Sequence, residues 1–336
     1  MQQPTQPYDE WEWQQPGTPW RKRAIYHVTL TAAYHAAVLG TLRIPGRDPE
    51  RAEIDAKPLG QAVKDCVWTI KRRHSEIGIW RVQLMDSHIH FLVHVERKME
   101  SSINEVMRGF WQGCKAAARR ASADDIRLIT DRHPIPEGQD IGGFVFPTKP
   151  HIRPMSRGGQ LDTMFRYVDD NPKRKAFSYL YEGCYRVTED VIIAGRRYAA
   201  VGNLLLLQEP RRQTIHVHKE WVWDAERHGN DKPLRDYKNH CVLEARKGGM
   251  LSVSPCINEH EAQVRDVLLA EGWPMAIIMD NGFRPFYTPP TEWCKPLAEG
   301  RLLLLAPWPY VENKPTILRQ EAVTLNGYAD EIVAER

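Results

Sequence analysis

A chain of 336 residues is long enough for about two domains, each able to bury its own core. Hydrophobic residues make up 42% of the chain and charged residues 26%, as in a globular protein rather than a disordered or fibrous one. No apolar run approaches the roughly 18 residues of a membrane-spanning helix. The six cysteines include no Cys-x-x-Cys pair. The composition therefore argues against a membrane protein, a zinc site and a disulfide framework, and it favours a reducing cytoplasm.

The net charge of +3 says little about partners, but the basic residues are clustered before residue 176. The clusters are Arg21, Lys22 and Arg23; Lys71, Arg72 and Arg73; Lys115, Arg119 and Arg120; and Lys173, Arg174 and Lys175. A positive surface confined to one half of a chain is typical of a nucleic-acid-binding domain. An equally good explanation for any single cluster is that basic side chains at a helix end favour the helix dipole.

The first part of the chain carries alternating and helical patterns in turn. Residues 1–20 are polar and are predicted to form a flexible leader. Residues 24–31 alternate and are rich in β-branched and aromatic side chains, which predicts a strand. Residues 58–74 repeat apolar side chains at helical spacing behind Pro58, which predicts an amphipathic helix.

A hairpin and a second helix are predicted next. The strands are residues 77–84 and 88–95, joined by a short turn. A Ser-x-x-Glu capping box at residues 102–105 then opens the second helix. The order strand, helix, strand, strand, helix predicts a ferredoxin-like α+β domain over residues 21–176, with an antiparallel sheet and helices on one face.

The stretch that follows is rich in proline and glycine. Residues 121–160 are predicted to be mostly loop, with short strands at 144–146 and 151–153. A loop of this length inside a compact domain is unusual unless it is functional. Helical spacing returns at residues 160–170, and an Asn-Pro pair is predicted to stop that helix.

Two short motifs carry side chains suited to chemistry. His88 and His90 alternate on one strand, so they point to the same face as a metal or acid/base platform. Tyr167 and Asn171 are four residues apart and share one face of their helix. Alone, each motif has an ordinary explanation, a polar strand face and a core tyrosine. His94 lies on the same strand face and is interpreted as a structural histidine.

The two motifs together resemble the signature of the HUH single-tyrosine transposases, in particular the REP-associated group of insertion-sequence transposases. That signature is His-hydrophobic-His on a central strand, followed after a second helix by a Tyr-x-x-x-Asn or Tyr-x-x-x-Gln helix. This chain has His88-Ile89-His90 and then Tyr167-Val168-Asp169-Asp170-Asn171-Pro172. The resemblance covers about residues 24–176. It implies DNA nicking and strand transfer.

The resemblance also implies a role for each motif residue. His88, His90 and Asn171 would bind one Mg²⁺ or Mn²⁺ ion, and Tyr167 would be the catalytic nucleophile. Two imidazoles and an amide oxygen suit a manganese-like ion, whereas magnesium prefers more oxygen ligands. A tyrosine hydroxyl with its ordinary pKa near ~10 attacks weakly at neutral pH, so the metal would polarise the scissile phosphate. The product would be a 5′-phosphotyrosine link and a free 3′-hydroxyl that can rejoin strands without ATP.

The implied partner is single-stranded or hairpin DNA in a bacterial cytoplasm, close to the nucleoid, with no membrane and with a homodimer as one possible assembly. Cations and aromatic stacking are the usual means of holding such DNA. The cationic candidates are Arg119, Arg120, Lys173 and Arg174.

The second half of the chain changes character. Residues 177–240 are predicted to be a connecting segment with strands at 198–207 and 213–218. The latter strand carries a rival pair, His216 and His218, interpreted as solvent-facing histidines because no Tyr-x-x-x-Asn helix follows them. Residues 241–336 alternate apolar strands with helices and end in a short strand at Ile332-Val333, which predicts a parallel α/β sheet covered on both faces.

This second half resembles the Rossmann-like fold of the DNA-processing protein A and lysine-decarboxylase-like families. The resemblance rests mainly on Ser254-Pro255, Asn281-Gly282-Phe283 and Ala306-Pro307-Trp308. No Gly-x-Gly-x-x-Gly motif opens the domain, so we predict a degenerate domain that packs, dimerises or touches DNA rather than an enzyme. Two further hypotheses stay open: a hairpin-binding protein that has lost cleavage, and a nucleotide-sensing role for this half.

Overall fold

The computed structural model describes residues 20–155 and 160–335, so nearly all of the predicted leader lies outside the described residues. Contacts between residues divide the chain into two compact units, Met1–Ala176 and Phe177–Arg336. None of the described helices combines the length and the apolar composition that crossing a bilayer requires.

The described part of the first unit alternates strands and helices, and its last helix starts at Asn171. In chain order the elements are β1 (Ala24–Thr31), β2 (Gly40–Arg43), β3 (Glu53–Ala56), α1 (Pro58–Arg73), β4 (Ile77–Leu84), β5 (His88–Val95), α2 (Ile103–Arg120), α3 (Ala123–Thr130), α4 (Ile141–Val145), β6 (His151–Pro154), α5 (Gln160–Asp169) and α6 (Asn171–Leu180). Within these residues β4, β5, β1 and β6 form one sheet in that order, and every neighbouring pair in it is antiparallel. β2 and β3 pair separately.

The core of this unit lies between the sheet and the helices α1 and α2. Alternate residues of β5, such as Ile89 and Phe91, belong to this core, and the Phe91 ring lies 5.1 Å from the ring of Phe110 on α2. Val63 and Val67 of α1 complete the packing from the neighbouring helix. Because successive residues of a strand point to opposite faces, the other face of β5 carries its histidines.

Three local predictions for this unit have different outcomes. The short strand predicted at 151–153 is present as β6, but the one predicted at 144–146 is wrong, because these residues end the short helix α4. The Asp140 side chain accepts a hydrogen bond from the Gly143 backbone and caps the first turn of that helix. The Asn-Pro pair ends α5 as predicted, yet a new helix starts at the same residues.

The second unit is built on one larger sheet. Its described elements are β7 (Thr188–Ile193), β8 (Arg196–Gly202), β9 (Arg211–Thr214), α7 (Lys219–His228), α8 (Lys232–Arg246), β10 (Met250–Ser254), α9 (Glu259–Glu271), β11 (Met275–Ile278), α10 (Thr291–Ala298), β12 (Leu302–Ala306) and α11 (Arg319–Ala334). The strand order among these residues is β7, β8, β12, β11, β10, β9. β9 to β12 are parallel, whereas β8 and β7 are antiparallel to their neighbours, so the sheet is mixed rather than parallel throughout. Strands from the predicted connecting segment 177–240 are part of it.

Helices cover both faces of this sheet. Met275 and Ile277 of β11 belong to a core cluster with Val264 of α9. The alternate residue Ala276 belongs to a second cluster with Leu325 of α11. The strands β9 to β12 therefore bury side chains on both sides, as their continuous apolar sequences require.

Three strand predictions in this unit are wrong, two in their ends and one entirely. The strand predicted at 198–207 ends at Gly202, whose φ of +106° favours glycine and whose missing Cβ would lie 2.3 Å from the Leu302 carbonyl oxygen. The strand predicted at 213–218 ends at Thr214. Ile332 and Val333 lie inside α11, where Ile332 is buried against the sheet.

The tight packing of α1 gives a stability prediction. A Cβ at Gly60 would lie 1.8 Å from the carbonyl oxygen of Leu39, which is backbone and cannot rotate away. We therefore expect Gly60→Ala to lower the free energy of unfolding of the first unit by about 2 kcal/mol. The matched control is Gly109→Ala on α2, which meets nothing within 4 Å and should be neutral or stabilising by up to about 1 kcal/mol. Urea unfolding measures both, and equal stability of the two variants would contradict the packing described.

Candidate functional site

The face of the first sheet opposite α1 and α2 carries a group of imidazoles. In the register of β1 and β5, Thr29 lies across from His90, and His27 lies across from Leu92. Residues directly across an antiparallel pair share a face, so His27 and Thr29 lie on the same side of the sheet as His88 and His90. The sheet thus brings His27 to the two motif histidines, although the motif does not include it.

Both motif histidines are held through their Nδ1 atoms. His90 Nδ1 lies 3.0 Å from His27 Nε2 and 2.9 Å from Thr29 Oγ1. His88 Nδ1 lies 3.1 Å from Ser87 Oγ. Neither Nε2 atom of His88 and His90 has a hydrogen-bond partner in the described part of the chain. Each ring thus has one nitrogen anchored and the other available, which is what metal binding by a histidine requires.

Burial keeps these imidazoles neutral. His90 is only 5% exposed, and burial, followed by the nearby His88, lowers its pKa to about 2. Burial also lowers the pKa of His27 and of His88 to about 4 each; His151 lowers that of His27 further, while Asp86 opposes the shift at His88. At neutral pH all three rings are therefore uncharged, which is the form of imidazole that binds metal ions.

Tyr167 on α5 packs against this histidine group. Its ring centroid lies 5.6 Å from that of His90 and 5.9 Å from that of His27, and both pairs are nearly perpendicular. The guanidinium of Arg174 lies 5.1 Å from the Tyr167 ring centroid. The structure therefore brings together two of the predicted site residues, Tyr167 and His90, from elements that are far apart in the sequence.

Asn171 is the first residue of α6, two residues after the end of the helix α5 that carries Tyr167, and Lys175 lies one turn further along α6. Lys175 forms an ion pair with Asp86, directly before the strand β5. Tyr167 contacts β5 and Lys175 contacts the turn before it, so Asn171 lies in the chain between two residues that reach this region. The Asn171 amide nitrogen is buried and has no hydrogen-bond partner among the described residues. As a donor, this nitrogen calls for an acceptor such as water or a phosphate oxygen.

The donor set fits a divalent ion of the manganese type. In the described residues no group of three or more His, Cys, Asp or Glu side chains is arranged to hold a metal, so a site here would depend on the two imidazoles and the Asn171 amide. The amide orientation is an assignment, and exchanging its nitrogen and oxygen places a free acceptor where the unsatisfied nitrogen is. Two nitrogen ligands and one oxygen ligand leave open positions for phosphate and water.

The helix α5 is held on the sheet by side chains that belong to neither motif. Arg81 of β4 forms an ion pair with Asp169 at 3.1 Å, and its guanidinium lies 4.7 Å from the Phe165 ring centroid. Trp80 lies beside the same phenylalanine, at 5.8 Å between ring centroids, and also contacts His94 at 4.5 Å. These contacts fix α5, and with it Tyr167, relative to β5.

Three of the four predicted DNA contacts already have protein partners. Arg119 pairs with Asp140 at 2.6 Å, and Lys173 pairs with Glu50 at 2.6 Å. Arg174 lies over the Tyr167 ring, while Arg120 is exposed at the end of α2.

The rival histidine pair of the second unit has a different environment. His216 is half-buried and not on a strand; its Nε2 lies 3.1 Å from Asn326 Nδ2, and its backbone N–H donates to the Tyr237 hydroxyl. His218 is exposed and precedes α7. The interpretation of both as strand residues is wrong, because β9 ends at Thr214. The solvent-facing interpretation is correct for His218 and wrong for the half-buried His216.

A buried carboxylate from the first turn of α9 lies against the loop between β10 and α9. Glu261, only 1% exposed, accepts hydrogen bonds from the backbone N–H groups of Val217 and Ile257. Its own N–H donates to the Asn258 side chain. At this turn the N–H groups of Ile257 and Glu261, of the kind that bind phosphate at helix N-termini, are thus already satisfied by side chains of the chain.

Known proteins show little similarity to this chain. No family model and no curated protein matches the chain. A protein from Deinococcus radiodurans R1, described as a "putative transposase", is similar in structure with a TM-score of 0.24 and 14% sequence identity, over 47% of this chain and 97% of that one.

The docking of α5 can be tested directly. Arg81→Gln removes both the ion pair with Asp169 and the contact over Phe165, so local opening of α5 should become easier by about 0.5 to 1 kcal/mol. Hydrogen exchange of the α5 amides measures this opening, with α2 amides as an internal reference. The control Arg127→Gln breaks another exposed ion pair, with Asp131, and should leave α5 unchanged. Unchanged α5 exchange in Arg81→Gln would mean that other contacts hold the helix.

Proposed function

We propose that the chain is a metal-dependent enzyme that nicks single-stranded DNA and transfers strands through a 5′-phosphotyrosine intermediate, as HUH single-tyrosine transposases do. The observation that carries this proposal is the packing of the Tyr167 ring against His90, a member of the paired-histidine motif. A nucleophile must lie beside the group that activates the phosphate, and this contact supports that requirement.

His88, His90 and Asn171 would hold one Mg²⁺ or Mn²⁺ ion. The available Nε2 atoms of the two histidines and the unsatisfied amide of Asn171 support this assignment. A bound divalent ion would polarise the scissile phosphate and neutralise part of its charge.

Tyr167 would be the nucleophile. Its Oη forms a bond to phosphorus while the bond from phosphorus to the 3′-oxygen breaks. The phenol proton passes to solvent, and the departing 3′-oxygen takes up a proton. Arg174 places a positive charge beside the ring from which this proton leaves. One phosphodiester replaces another, so the free 3′-hydroxyl can reverse the step on a second strand without ATP.

The DNA strand would approach the histidine face of the sheet. His151 and Arg153 of β6 lie across from Thr29 and His27, so they share this face, and the Arg153 guanidinium adds positive charge to it. Arg120 is exposed on α2. Binding through such groups is expected to weaken with salt, because each neutralised phosphate releases counterions.

The fold assignments belong to the same proposal. A ferredoxin-like first unit is supported by the antiparallel strand order β4, β5, β1, β6 and by the helices between β1 and β4 and between β5 and β6. A Rossmann-like second unit is supported by the parallel strands β9 to β12 with helices on both faces. The satisfied turn at Glu261 favours a degenerate form of that fold over a nucleotide sensor.

Covalent capture tests the proposed reaction. The full chain, incubated with Mn²⁺ and a labelled hairpin that carries a single-stranded flank, should form a protein–DNA adduct that survives denaturation. Tyr167→Phe should abolish the adduct, because it removes the attacking oxygen. His88→Ala should also lose it while retaining hairpin binding. The control Tyr310→Phe, at an exposed tyrosine, should form the adduct normally.

Two outcomes would count against the proposal. An adduct that persists in Tyr167→Phe would show that another residue is the nucleophile. Salt-sensitive hairpin binding with no adduct under any metal condition would favour the hypothesis of a DNA-binding protein that does not cut.

A further inference from the structure

His27 is a buried polar residue outside both motifs. It is 8% exposed, and its side chain reaches His90 rather than solvent. Besides the 3.0 Å contact between His27 Nε2 and His90 Nδ1, the two rings stack with centroids 5.0 Å apart and planes 24° apart. The His27 ring also makes an edge contact with the Tyr167 ring, with centroids 5.9 Å apart. His27 therefore touches both a proposed metal ligand and the proposed nucleophile.

In the contact between His27 Nε2 and His90 Nδ1, only one of the two nitrogen atoms can carry a proton. If His27 Nε2 carries the proton, it donates to His90 Nδ1, and the proton of a neutral His90 must then be on Nε2, which blocks metal binding there. If His90 Nδ1 carries the proton, it donates to His27 Nε2, and the Nε2 lone pair of His90 is available. The position of one proton thus decides whether His90 can be a ligand.

His27 is placed to act on His90 and not on the metal. Its Nε2 is engaged with His90 Nδ1, and the described residues contain no group of three His, Cys, Asp or Glu side chains able to hold a metal. Thr29 Oγ1 also reaches His90 Nδ1, at 2.9 Å. A hydroxyl both donates and accepts, so Thr29 alone does not select one tautomer of His90.

We propose that His27 is a positioning residue that accepts the Nδ1 proton of His90 and thereby keeps the Nε2 lone pair of His90 available to the divalent ion. This inference rests on the proposed function. It assigns a role to a residue that the two motifs do not contain. The stacked ring of His27 also limits rotation of the His90 imidazole, so the ligand is held in orientation as well as in protonation.

Manganese affinity is the first test. The full chain and its variants are titrated with Mn²⁺ alone, and free Mn²⁺ is followed by its electron paramagnetic resonance signal. His27→Leu should weaken Mn²⁺ binding by about 10-fold or more, as loss of an outer partner of a metal-bound histidine does. His27→Gln, whose amide oxygen can accept the same proton, should recover part of the affinity. His218→Leu, at an exposed histidine of the second unit, should bind like the wild type.

The tautomer itself is the second test and needs no substitution. In the ¹⁵N-histidine-labelled wild type with Mg²⁺, nuclear magnetic resonance should show the proton of His90 on Nδ1 and that of His27 also on Nδ1. This measurement tests the role of His27 even if His27→Leu fails to fold. If His27 served only in packing, it would not determine which nitrogen atoms carry these protons.

The outcomes separate this inference from the proposed function. Wild-type affinity in His27→Leu, or a proton on His27 Nε2 in the Mg²⁺-bound protein, would overturn the role of His27 and leave the proposed function intact. A wild-type chain that binds no Mn²⁺ would overturn both.

Discussion

Strand β5 alternates between two environments, and its register determines where the histidines lie. Ile89 and Phe91 are buried in the core formed with α1 and α2, while His88 and His90 occupy the opposite face. A slip of one residue would move the histidines into the apolar core and the apolar side chains out of it, at a large cost in free energy. The hydrophobic core therefore fixes the position of two polar side chains that contribute nothing to it.

The second requirement is that a distant helix meets this face. The ion pairs Arg81–Asp169 and Lys175–Asp86 join β4 and the start of β5 to the helical segment that carries Tyr167. The Arg81–Asp169 pair is exposed and contributes little stability, so its main consequence is orientation. The Lys175–Asp86 pair is partly buried. Together with the contact of Arg81 over Phe165, the two pairs keep the tyrosine ring beside His90. The site is thus a product of long-range contacts on a rigid sheet.

Local pattern predicted much of this arrangement. Periodicity predicts β1, α1, β4, β5 and α2, because each buries one regular face, and the two motifs indicate residues that the fold then brings together. His27 was missed because its role depends on strand pairing, which the sequence of β1 does not reveal. The ion-pair partners of Arg119 and Lys173 are acidic residues far away in the chain, so both looked available for DNA. Two residues, Ile332 and Val333, are too few to distinguish a helical from a strand period. They lie in α11, where Ile332 packs against the sheet.

The central claim is that the histidine face of β5 binds one divalent ion beside Tyr167. Anomalous diffraction at the manganese edge, from crystals of the full chain grown with Mn²⁺, tests it most directly. We predict one strong peak bonded to the Nε2 atoms of His88 and His90 and to the side chain of Asn171. A fully occupied Mn²⁺ elsewhere in the chain, with no peak between these residues, would contradict it.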